Sequence, residues 1–311
     1  GNDLGGRIKG EKYYGGQLNS GTINQVYRYN SESNETPDVL TANAYTEYKQ
    51  GRVGGIFGGC YGDYDYTDDY YWSHVKSDDQ MPYMHNAFVN ISPLEDNEDN
   101  KGNFIGYVYG AGQGHAGERR GDKMQDNSYV LIDIPDTKTF KDAVVFGAGS
   151  YNGLGMGEFV DPDADDAVKD DVSAVIDLIN GEINAVYGGS FQEGITRRTV
   201  VNVPTASTIK VTDIFGGAYG TQILPPCDVY ESNVNYKTKS NKARVNGAIY
   251  GGNNSERRTL YAHVNIWEPV RSDNAKQKNL AIVYGAGKGI DTWAEYTEVN
   301  LENGAWVYEV Y

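Results

Sequence analysis

The densest group of side chains able to do chemistry lies in one stretch, "CYGDYDYTDDYYWSHVKSDDQMPYMH", at residues 60–85. Aromatic rings alternate there with carboxylates. Sugar rings stack on aromatic planes and sugar hydroxyls bond to acids, so this composition predicts a carbohydrate-binding loop. The alternative is a loop that folds back over the protein and packs its own rings as a small core. The candidate ligand-binding residues are Tyr64, Tyr66, Tyr70, Tyr71, Trp72, Asp68 and Asp69.

A second group of candidates is acidic. The stretch "DPDADDAVKDD" at 161–171 places Asp161, Asp163 and Asp165 at alternate positions, as at the start of a calcium-binding loop. An EF-hand needs Gly at its sixth position and Glu at its twelfth, where this chain has Asp166 and Val172. The sequence therefore excludes an EF-hand and leaves two hypotheses, a looser calcium site or a solvated acidic loop. No cofactor other than calcium is predicted.

The remaining candidate motifs are arginine pairs, histidines and the short motifs of nucleophilic or phosphate-binding sites. Three arginine pairs, 119–120, 197–198 and 257–258, follow glycine-rich turns. They would either bind sulfate or carboxylate groups of a glycan or pair with the surplus acids of the chain, and the second interpretation is favoured. The four histidines show neither HxH nor HExxH spacing, so no zinc site is predicted. No serine nucleophile elbow and no phosphate-binding GxxxxGK[ST] motif occurs.

The composition narrows the class of partner. The 311 residues include 39 Gly and 26 Tyr, and 43 acidic against 27 basic residues give a net charge of −16. That charge repels nucleic acid and anionic lipid, so neither is an expected partner. No run approaches the ~20 apolar residues needed to span a bilayer, so no membrane span is predicted in this segment.

Two short phrases alternate along the chain, and they define the elements that must position the candidate residues. The first is an aliphatic residue, an aromatic, Gly, then Gly or Ala; it occurs at 56–59, 108–111, 145–148, 186–189, 214–217, 249–252 and 283–286, with "YYGG" (13–16) and "VY" (310–311) as partial copies. The second is an aliphatic residue, Asn or Asp, then a hydrophobic residue; it occurs at 89–91, 132–134, 176–178, 201–203, 234–236, 264–266 and 299–301.

Each phrase predicts a local structure. In the second phrase the outer residues share one face of a strand, so the aliphatics should point inward and the Asn or Asp outward. The first phrase predicts the end of a strand followed by a corner, because glycine accepts positive φ without steric cost. Residues 165–179, "DDAVKDDVSAVIDLI", could begin as a helix, but their second half is predicted as strand.

The repeat length selects the architecture. Copies of the second phrase are separated by as few as 25 residues (Ile176 to Val201) and as many as 44 (Ile132 to Ile176). Twenty-five residues are too few for a four-stranded propeller blade, whereas a parallel β-helix needs about three short strands per coil and accepts loops of any length. The prediction is an all-β, right-handed parallel β-helix of about seven to eight coils with long corner loops.

This architecture fixes expectations for the cysteines and the chain ends. Cys60 and Cys227 would lie about four coils apart, or ~20 Å along the axis, so two free thiols are expected. The chain is predicted to be a single domain over 1–311, with 1–50 as an atypical N-terminal coil. Because neither end looks like a cap, we expect an excerpt of a longer repeat protein whose further coils are partners of this segment.

The alternation of corners such as "VYGGS" and "VYGAG" with strides such as "TEVNLENGAWVYEVY" resembles the glycine-rich repeat proteins exported by Bacteroidales. The resemblance covers most of residues 50–311. It implies a right-handed parallel β-helix at the cell surface, extracellular and associated with the outer membrane, with adhesin-like binding of a glycan or a surface protein. The family supplies no catalytic residues, so no catalytic residue is assigned.

An enzyme remains the alternative, because many parallel β-helices cleave acidic polysaccharides. Hydrolases of the pectin type pair aspartates on one rung, followed by Gly-His-Gly and Arg-Ile-Lys. This chain has Asp68-Asp69, then Gly114-His115-Ala116, but its Arg7-Ile8-Lys9 comes first. These partial matches are read as chance. The favoured function is a non-enzymatic, adhesin-like rod that displays loops, with a polysaccharide lyase or hydrolase as the alternative.

Overall fold

The computed structural model describes residues 7–9, 12–14, 22–26, 43–48, 52–59, 84–93, 104–113, 125–134, 140–150, 173–192, 194–220, 227–254, 258–289, 292–302 and 304–311. This part of the chain is all-β, with strands in two sheets and one short 3-10 helix at Ala275–Gln277. The strands are numbered along the chain.

Sheet 1 holds the strands of the aromatic–glycine phrase. Its eleven strands are β1 (Arg7–Lys9), β2 (Lys12–Tyr14), β5 (Arg52–Phe57), β7 (Phe104–Tyr109), β9 (Val144–Phe146), β11 (Glu182–Tyr187), β13 (Lys210–Phe215), β15 (Arg244–Val245), β16 (Ala248–Tyr250), β18 (Ile282–Tyr284) and β20 (Glu309–Val310).

Sheet 2 holds the strands of the aliphatic–Asn phrase. Its nine strands are β3 (Thr22–Val26), β4 (Asn43–Tyr48), β6 (Met84–Ile91), β8 (Gln125–Asp133), β10 (Ala174–Asn180), β12 (Gly194–Val203), β14 (Cys227–Tyr236), β17 (Arg258–Ile266) and β19 (Trp293–Leu301).

From β4 onward the chain alternates between the sheets, except that β15 and β16 are consecutive strands of sheet 1, and the strands pair in parallel with their counterparts in neighbouring repeats. Thus β12 lies between β10 and β14, and β11 lies between β9 and β13. In sheet 2 this gives eight parallel strands in chain order, from β4 to β19. The predicted all-β fold of parallel strands is confirmed. Within the first 50 residues, β1 and β2 are antiparallel, as are β3 and β4.

Among the described residues, most repeats have two strands rather than the predicted three, and one repeat has three, β14, β15 and β16. In the same part of the chain, a further line of pairing consists of single-residue parallel bridges, which run through Gln113, Ser150, Phe191, Tyr219 and Asn254. These residues follow the glycine corners by a few positions. One residue comes into register there before the chain leaves for the next loop, so the third strand is reduced to one bridge.

The aliphatic–Asn phrases stack in register. Val201, Asn202 and Val203 pair with Val234, Asn235 and Tyr236, and the same register continues to β17 and β19. The outer residues of the phrase are buried in the main core, with Val201 and Val203 at 0% exposure, while Asn202 is only half-buried. The predicted inward aliphatics and outward amides are confirmed, and so is the strand predicted for the second half of 165–179, which is β10.

One copy of the aliphatic–Asn phrase lies two residues before its predicted position at 132–134. The register sets Val130, Leu131 and Ile132 beside Ile176, Asp177 and Leu178, whereas Asp133 pairs with Asn180 beyond a bulge. The assignment of "IDI" at 132–134 is therefore wrong. Because Val130, Ile132 and Ile134 all point inward, a shift of two keeps the same face buried, and the sequence pattern alone could not choose between the registers.

The structure contains a further copy of the aliphatic–Asn phrase that the sequence pattern does not predict. Thr46, Glu47 and Tyr48 of β4 pair with Val89, Asn90 and Ile91. Thr46 and Tyr48 are buried, but neither is aliphatic, so the phrase was not recognisable. At the other sheet, Tyr13 and Tyr14 pair with Ile56 and Phe57, so the first half of "YYGG" aligns with the corner phrase, while Gly15 and Gly16 lie outside the described residues.

The aromatic residues of the corner phrase form one continuous column. Successive ring centroids lie 4.5–5.1 Å apart with interplanar angles of 5–15°. This spacing matches the distance between paired strands. The preceding aliphatic residue enters the main core, so the rings lie on the opposite face of sheet 1 as a second apolar cluster. The column runs through Phe57, Tyr109, Phe146, Tyr187, Phe215, Tyr250, Tyr284 and Tyr311.

The first glycine of each corner is required by close packing rather than by backbone conformation. A Cβ on Gly188 would collide with the carbonyl oxygen of Gly216, and the same contact recurs from Gly58 to Gly251. The described glycines with positive φ are Gly181, Gly194, Gly289 and Gly304, none of which belongs to these corners. The prediction that the corners need positive φ is therefore wrong. Small side chains of sheet 2 face the stacked corner glycines. Among them, Thr199 Oγ1 donates to the carbonyl of Gly216 at 2.5 Å.

Candidate functional site

The predicted ligand-binding residues Tyr64, Tyr66, Tyr70, Tyr71, Trp72, Asp68 and Asp69 lie outside the described residues. The same holds for the predicted calcium ligands Asp161, Asp163 and Asp165, and for Cys60 and the side chain of Cys227. These predictions therefore stand as predictions. Within the described ranges, no group of three or more His, Cys, Asp or Glu side chains is arranged to hold a metal ion.

Two of the arginines pair with acids. Arg198 Nε lies 3.4 Å from Glu231 Oε2, and Arg258 Nε lies 3.4 Å from Asp228 Oδ2. Glu231 lies on β14, the strand after that of Arg198 in sheet 2, and Asp228 lies on β14, the strand before that of Arg258. Both ion pairs therefore link neighbouring repeats. The favoured interpretation, in which the arginines pair with the surplus acids, is confirmed for Arg198 and Arg258. Arg197 lies over the ring of Tyr230, 5.4 Å from its centroid.

An amide ladder occupies the outer face of sheet 2. Asn300 donates to Asn265, Asn265 to Asn235, Asn235 to Asn202, and Asn202 to Asp177, with distances of 2.8–3.1 Å. Each amide uses its Nδ2 as donor and its Oδ1 as acceptor toward its two neighbours. The ladder therefore directs these polar groups to one another, and we regard it as a structural element.

Aromatic residues on the outer face of sheet 2, the half-buried Tyr230 and Tyr261 and the exposed Tyr296, also pack on one another. The rings of Tyr261 and Tyr296 lie 5.0 Å apart at 10°, and Tyr230 meets Tyr261 edge-on at 5.6 Å. A stacked ring presents its edge to solvent while its face is covered by the next ring. This row is consequently a weaker sugar platform than its composition suggests, because sugars need the free faces of aromatic rings.

A polar recess lies at the corner where strands of sheet 2 end and strands of sheet 1 begin. It has a volume of about 470 Å³, within the ~300–1,000 Å³ range of small-ligand pockets. Its walls come from successive repeats, since each repeat contributes residues at the same corner. The lining residues are Ile134, Asn180, Gly181, Thr208, Lys210, Asn241, Lys242, Arg244 and Asp273.

Strand register places the basic side chains of this corner recess. Lys210 and Arg244 are paired residues of β13 and β15, and each precedes a buried valine, Val211 or Val245. Side chains alternate along a strand, so the inward valine turns its basic neighbour outward. Gly181 forms the floor with φ of +120°, where a Cβ would lie 2.8 Å from Cβ of Ile134.

Arg244 is held in place by three acceptors. Its Nε donates to Asp273 Oδ1 at 2.8 Å, and its Nη1 donates to the carbonyls of Asn241 and Ala243 at 2.5 and 2.8 Å. Asp273 is itself fixed, because its backbone N–H donates to Asn246 Oδ1 at 2.9 Å. The guanidinium is therefore oriented before any ligand arrives.

The polar wall of the recess is built from one hydrogen-bonded chain. Thr208 Oγ1 donates to Asn180 Oδ1, and Asn180 Nδ2 donates to Asp133 Oδ1 at 2.6 Å. Sequence reasoning missed this site, because its residues come from five separate corners and no single stretch resembles a motif. The available signal was positional: "KV" at 210–211 and "RV" at 244–245 occupy the same place in two repeats.

Comparisons with known proteins add no family to this description. No protein-family model, no curated protein and no solved structure matches the chain. In the part of the chain that the structure describes, no helix has the length and apolarity to cross a membrane. The fold and site thus define a class by their own features: an all-β repeat protein of two parallel sheets, with a basic recess at one line of corners.

Proposed function

We propose that this chain is a rigid, adhesin-like rod of an exported bacterial surface protein, which displays loops to a glycan or a protein partner. In this proposal the two parallel sheets are the walls of a right-handed parallel β-helix. Right-handed crossover between parallel strands is the rule for connections of this kind. The aromatic column carries the proposal, since its eight rings keep one spacing from Phe57 to Tyr311.

The constancy of the framework contrasts with the segments that connect it. Strand β11 ends at Tyr187 and β12 begins at Gly194, whereas β5 ends at Phe57 and β6 begins at Met84. The strands that flank the long connection and those that flank the short one pair in parallel with the neighbouring repeats in the same way. Binding residues are concentrated on loops held by rigid scaffolds, so the long connections at 60–83 and 151–172 are where a partner would be recognised.

A polysaccharide-degrading enzyme is the second candidate, and the corner recess is the observation that favours it. Lysines, an arginine and the carboxylate of Asp273 from neighbouring repeats converge there. A lyase acting on uronates needs cationic groups to neutralise the substrate carboxylate and a basic side chain to remove a proton. In this second proposal the cations of the recess would neutralise the substrate carboxylate. An assay of chain cleavage tests whether a basic side chain also removes the proton.

The two functions are separated by incubating the purified chain with a panel of acidic and neutral polysaccharides. A display rod retains glycans on a binding assay but leaves their chain length unchanged in size-exclusion chromatography. An enzyme shortens them, and a lyase also generates the ultraviolet absorbance of an unsaturated product. Chain cleavage that disappears in Asp68→Asn/Asp69→Asn or in Lys210→Gln would overturn the display proposal.

The role of the loops is tested by shortening them one at a time. Replacing residues 61–82 with a Gly-Ser linker should abolish glycan or protein capture if that loop is the recognition element. Replacing residues 152–171 in the same way tests the second proposed recognition segment, and the shortening that leaves capture intact is the control for segment removal. For the proposed calcium site, a chelator should lower the melting temperature of the parent chain but not that of Asp161→Asn/Asp163→Asn/Asp165→Asn.

A further inference from the structure

We infer that the corner recess binds the carboxylate or sulfate group of an acidic saccharide. The inference goes beyond loop display, because the lining residues belong to the corners of the framework and lie far in sequence from the loop at 60–83. It assigns ligand recognition to the rod itself. Four observations support it: the charge of the recess, the state of its lysines, the fixed arginine and the surrounding hydrogen-bonding groups.

The charge of the recess is opposite to that of the protein. The chain carries a net charge of −16, yet the lining contains three cations and one carboxylate. Asp273 forms an ion pair with Arg244 at 2.8 Å, so these two charges compensate each other. Lys210 and Lys242 then leave the lining with two positive charges. The carboxylate of Asp133, which bonds to the wall residue Asn180, offsets one of them, so the balance stays positive and favours an anionic group.

The two recess lysines form no ion pair with a described carboxylate, unlike Lys239 and Lys288. Lys239 lies 3.8 Å from Glu268, and Lys288 lies 3.5 Å from Asp213. Neither Lys210 nor Lys242 has a carboxylate within 4.0 Å in the described part of the chain, although Glu182 is the strand neighbour of Lys210. Lys141, Lys237, Lys276 and Lys278 likewise have no carboxylate partner among the described residues, so Lys210 and Lys242 are distinguished by lining the same recess, where both are available to a ligand.

The arginine is oriented to complete the site. The bonds from Nε and Nη1 hold the guanidinium to Asp273 and to two backbone carbonyls, while Nη2 has no acceptor among the described residues. Charge-assisted hydrogen bonds from arginine to a carboxylate or sulfate are among the strongest available to a surface site. Because the side chain is already ordered, binding loses little side-chain entropy.

The remaining wall suits the hydroxyl groups of a sugar. Asn180, Thr208 and Asn241 surround the cations with amide and hydroxyl groups. Such groups both donate and accept hydrogen bonds, as sugar hydroxyls do.

The experiment measures binding by isothermal titration calorimetry with a heparin hexasaccharide, a galacturonate hexasaccharide, maltohexaose and inorganic sulfate as probes. The tested variant is Lys210→Gln/Lys242→Gln. The control is Lys239→Gln/Lys288→Gln, which removes the same two charges from lysines outside the recess. We expect at least one acidic hexasaccharide to bind the parent chain, the tested variant to lose tenfold or more in affinity, and the control to change less than twofold.

Several results would overturn the inference. Equal losses in both double variants would show that bulk charge, and not the recess, attracts the ligand. Maltohexaose binding as tightly as the acidic hexasaccharides would exclude anion recognition. Inorganic sulfate binding as tightly as the hexasaccharides would exclude a saccharide site, and absence of binding by both acidic probes would exclude the site altogether. Shortening residues 61–82 should leave binding at the recess intact. The display proposal can therefore fail while the recess still binds the acidic saccharide, and the two failures give different results.

Discussion

Asn202 donates a hydrogen bond from Nδ2 to Oδ1 of Asp177, 2.8 Å away, and this contact ends a ladder whose bonds all run in the same direction. The carboxylate at the end can only accept. The next strand in the same column carries Leu131, which continues the backbone pairing without a side-chain bond. The polarity of the ladder is therefore set by one acid, and this relationship leads to a first prediction.

Substitution of Asn235 should be worse with aspartate than with leucine. Asn235→Asp replaces the Nδ2 donor by an oxygen that faces Asn202 Oδ1, so it adds repulsion to the loss of a bond. Asn235→Leu only removes bonds, and Leu131 shows that the column accommodates leucine. We expect losses of roughly 1–2 kcal/mol for leucine and a larger loss for aspartate in urea unfolding at neutral pH. Equal stabilities of the two variants would show that the ladder has no preferred direction.

Substitution of a corner glycine should be severely destabilising. In Gly188→Ala the new methyl group collides with the carbonyl of Gly216 and lies 2.8 Å from Thr199 Cβ, so two strands must separate. We expect a loss of about 4 kcal/mol or more, or failure to fold.

The matched control for this prediction is Gly55→Ala. A Cβ at Gly55 lies 3.2 Å from the ring of Phe57 and, unlike one at Gly188, meets no backbone atom of a neighbouring strand within 4 Å. The strand partner two repeats along this column is Val144. We expect less than ~1 kcal/mol for this variant. Thermal unfolding by circular dichroism compares the two, and a mild Gly188→Ala would refute the close-packing explanation of the corners.

Interrupting the aromatic column should destabilise the protein through packing. Phe215 stacks on Tyr187 at 4.8 Å and on Tyr250 at 4.5 Å, and it is 1% exposed. Phe215→Leu keeps an apolar side chain but removes both ring contacts, so we expect a loss of roughly 1–3 kcal/mol and a weaker near-ultraviolet circular dichroism signal. Phe88→Leu, in the half-buried pair with Tyr129, is the control and should change stability less.

Stability should fall at alkaline pH because of buried tyrosines. Burial raises the pKa of Tyr187 and of Tyr236 to about 12, against about 10 in the unfolded chain. The unfolded state therefore loses these protons first. The free energy of unfolding should be constant below about pH 10 and should decrease from pH 10 to 12, by up to ~1.4 kcal/mol per pH unit for each tyrosine.

Urea unfolding between pH 9 and 12 checks this prediction. Tyr236→Phe and Tyr187→Phe should each reduce the slope, although Tyr187→Phe also loses the hydrogen bond that Asn254 donates to its hydroxyl at 3.1 Å. Tyr296→Phe, at a ring that is 55% exposed, is the control and should leave the slope unchanged. A slope that none of the buried variants alters would assign alkaline unfolding to other groups.

The sequence predicts the framework better than the site, for physical reasons. Buried valines such as Val201 and Val264 recur in a fixed pattern because neighbouring strands impose the same environment on them. The misplaced phrase at 132–134 arose because the strand period of two allows registers that differ by two residues. The recess could not be derived in the same way, because Lys210, Lys242 and Asp273 become neighbours only after the corners of several repeats are superposed.

The parallel pairing has a consequence for how such a protein can evolve. Strand β17 contacts β14 on one side and β19 on the other, and Asn265 bonds to Asn235 and Asn300 in the same manner. Since strand pairing joins each described repeat to its immediate neighbours, gene recombination that duplicates or deletes one whole repeat recreates a strand interface of the same type. Molecular length can thus be gained or lost in steps, while the surface loops diversify independently.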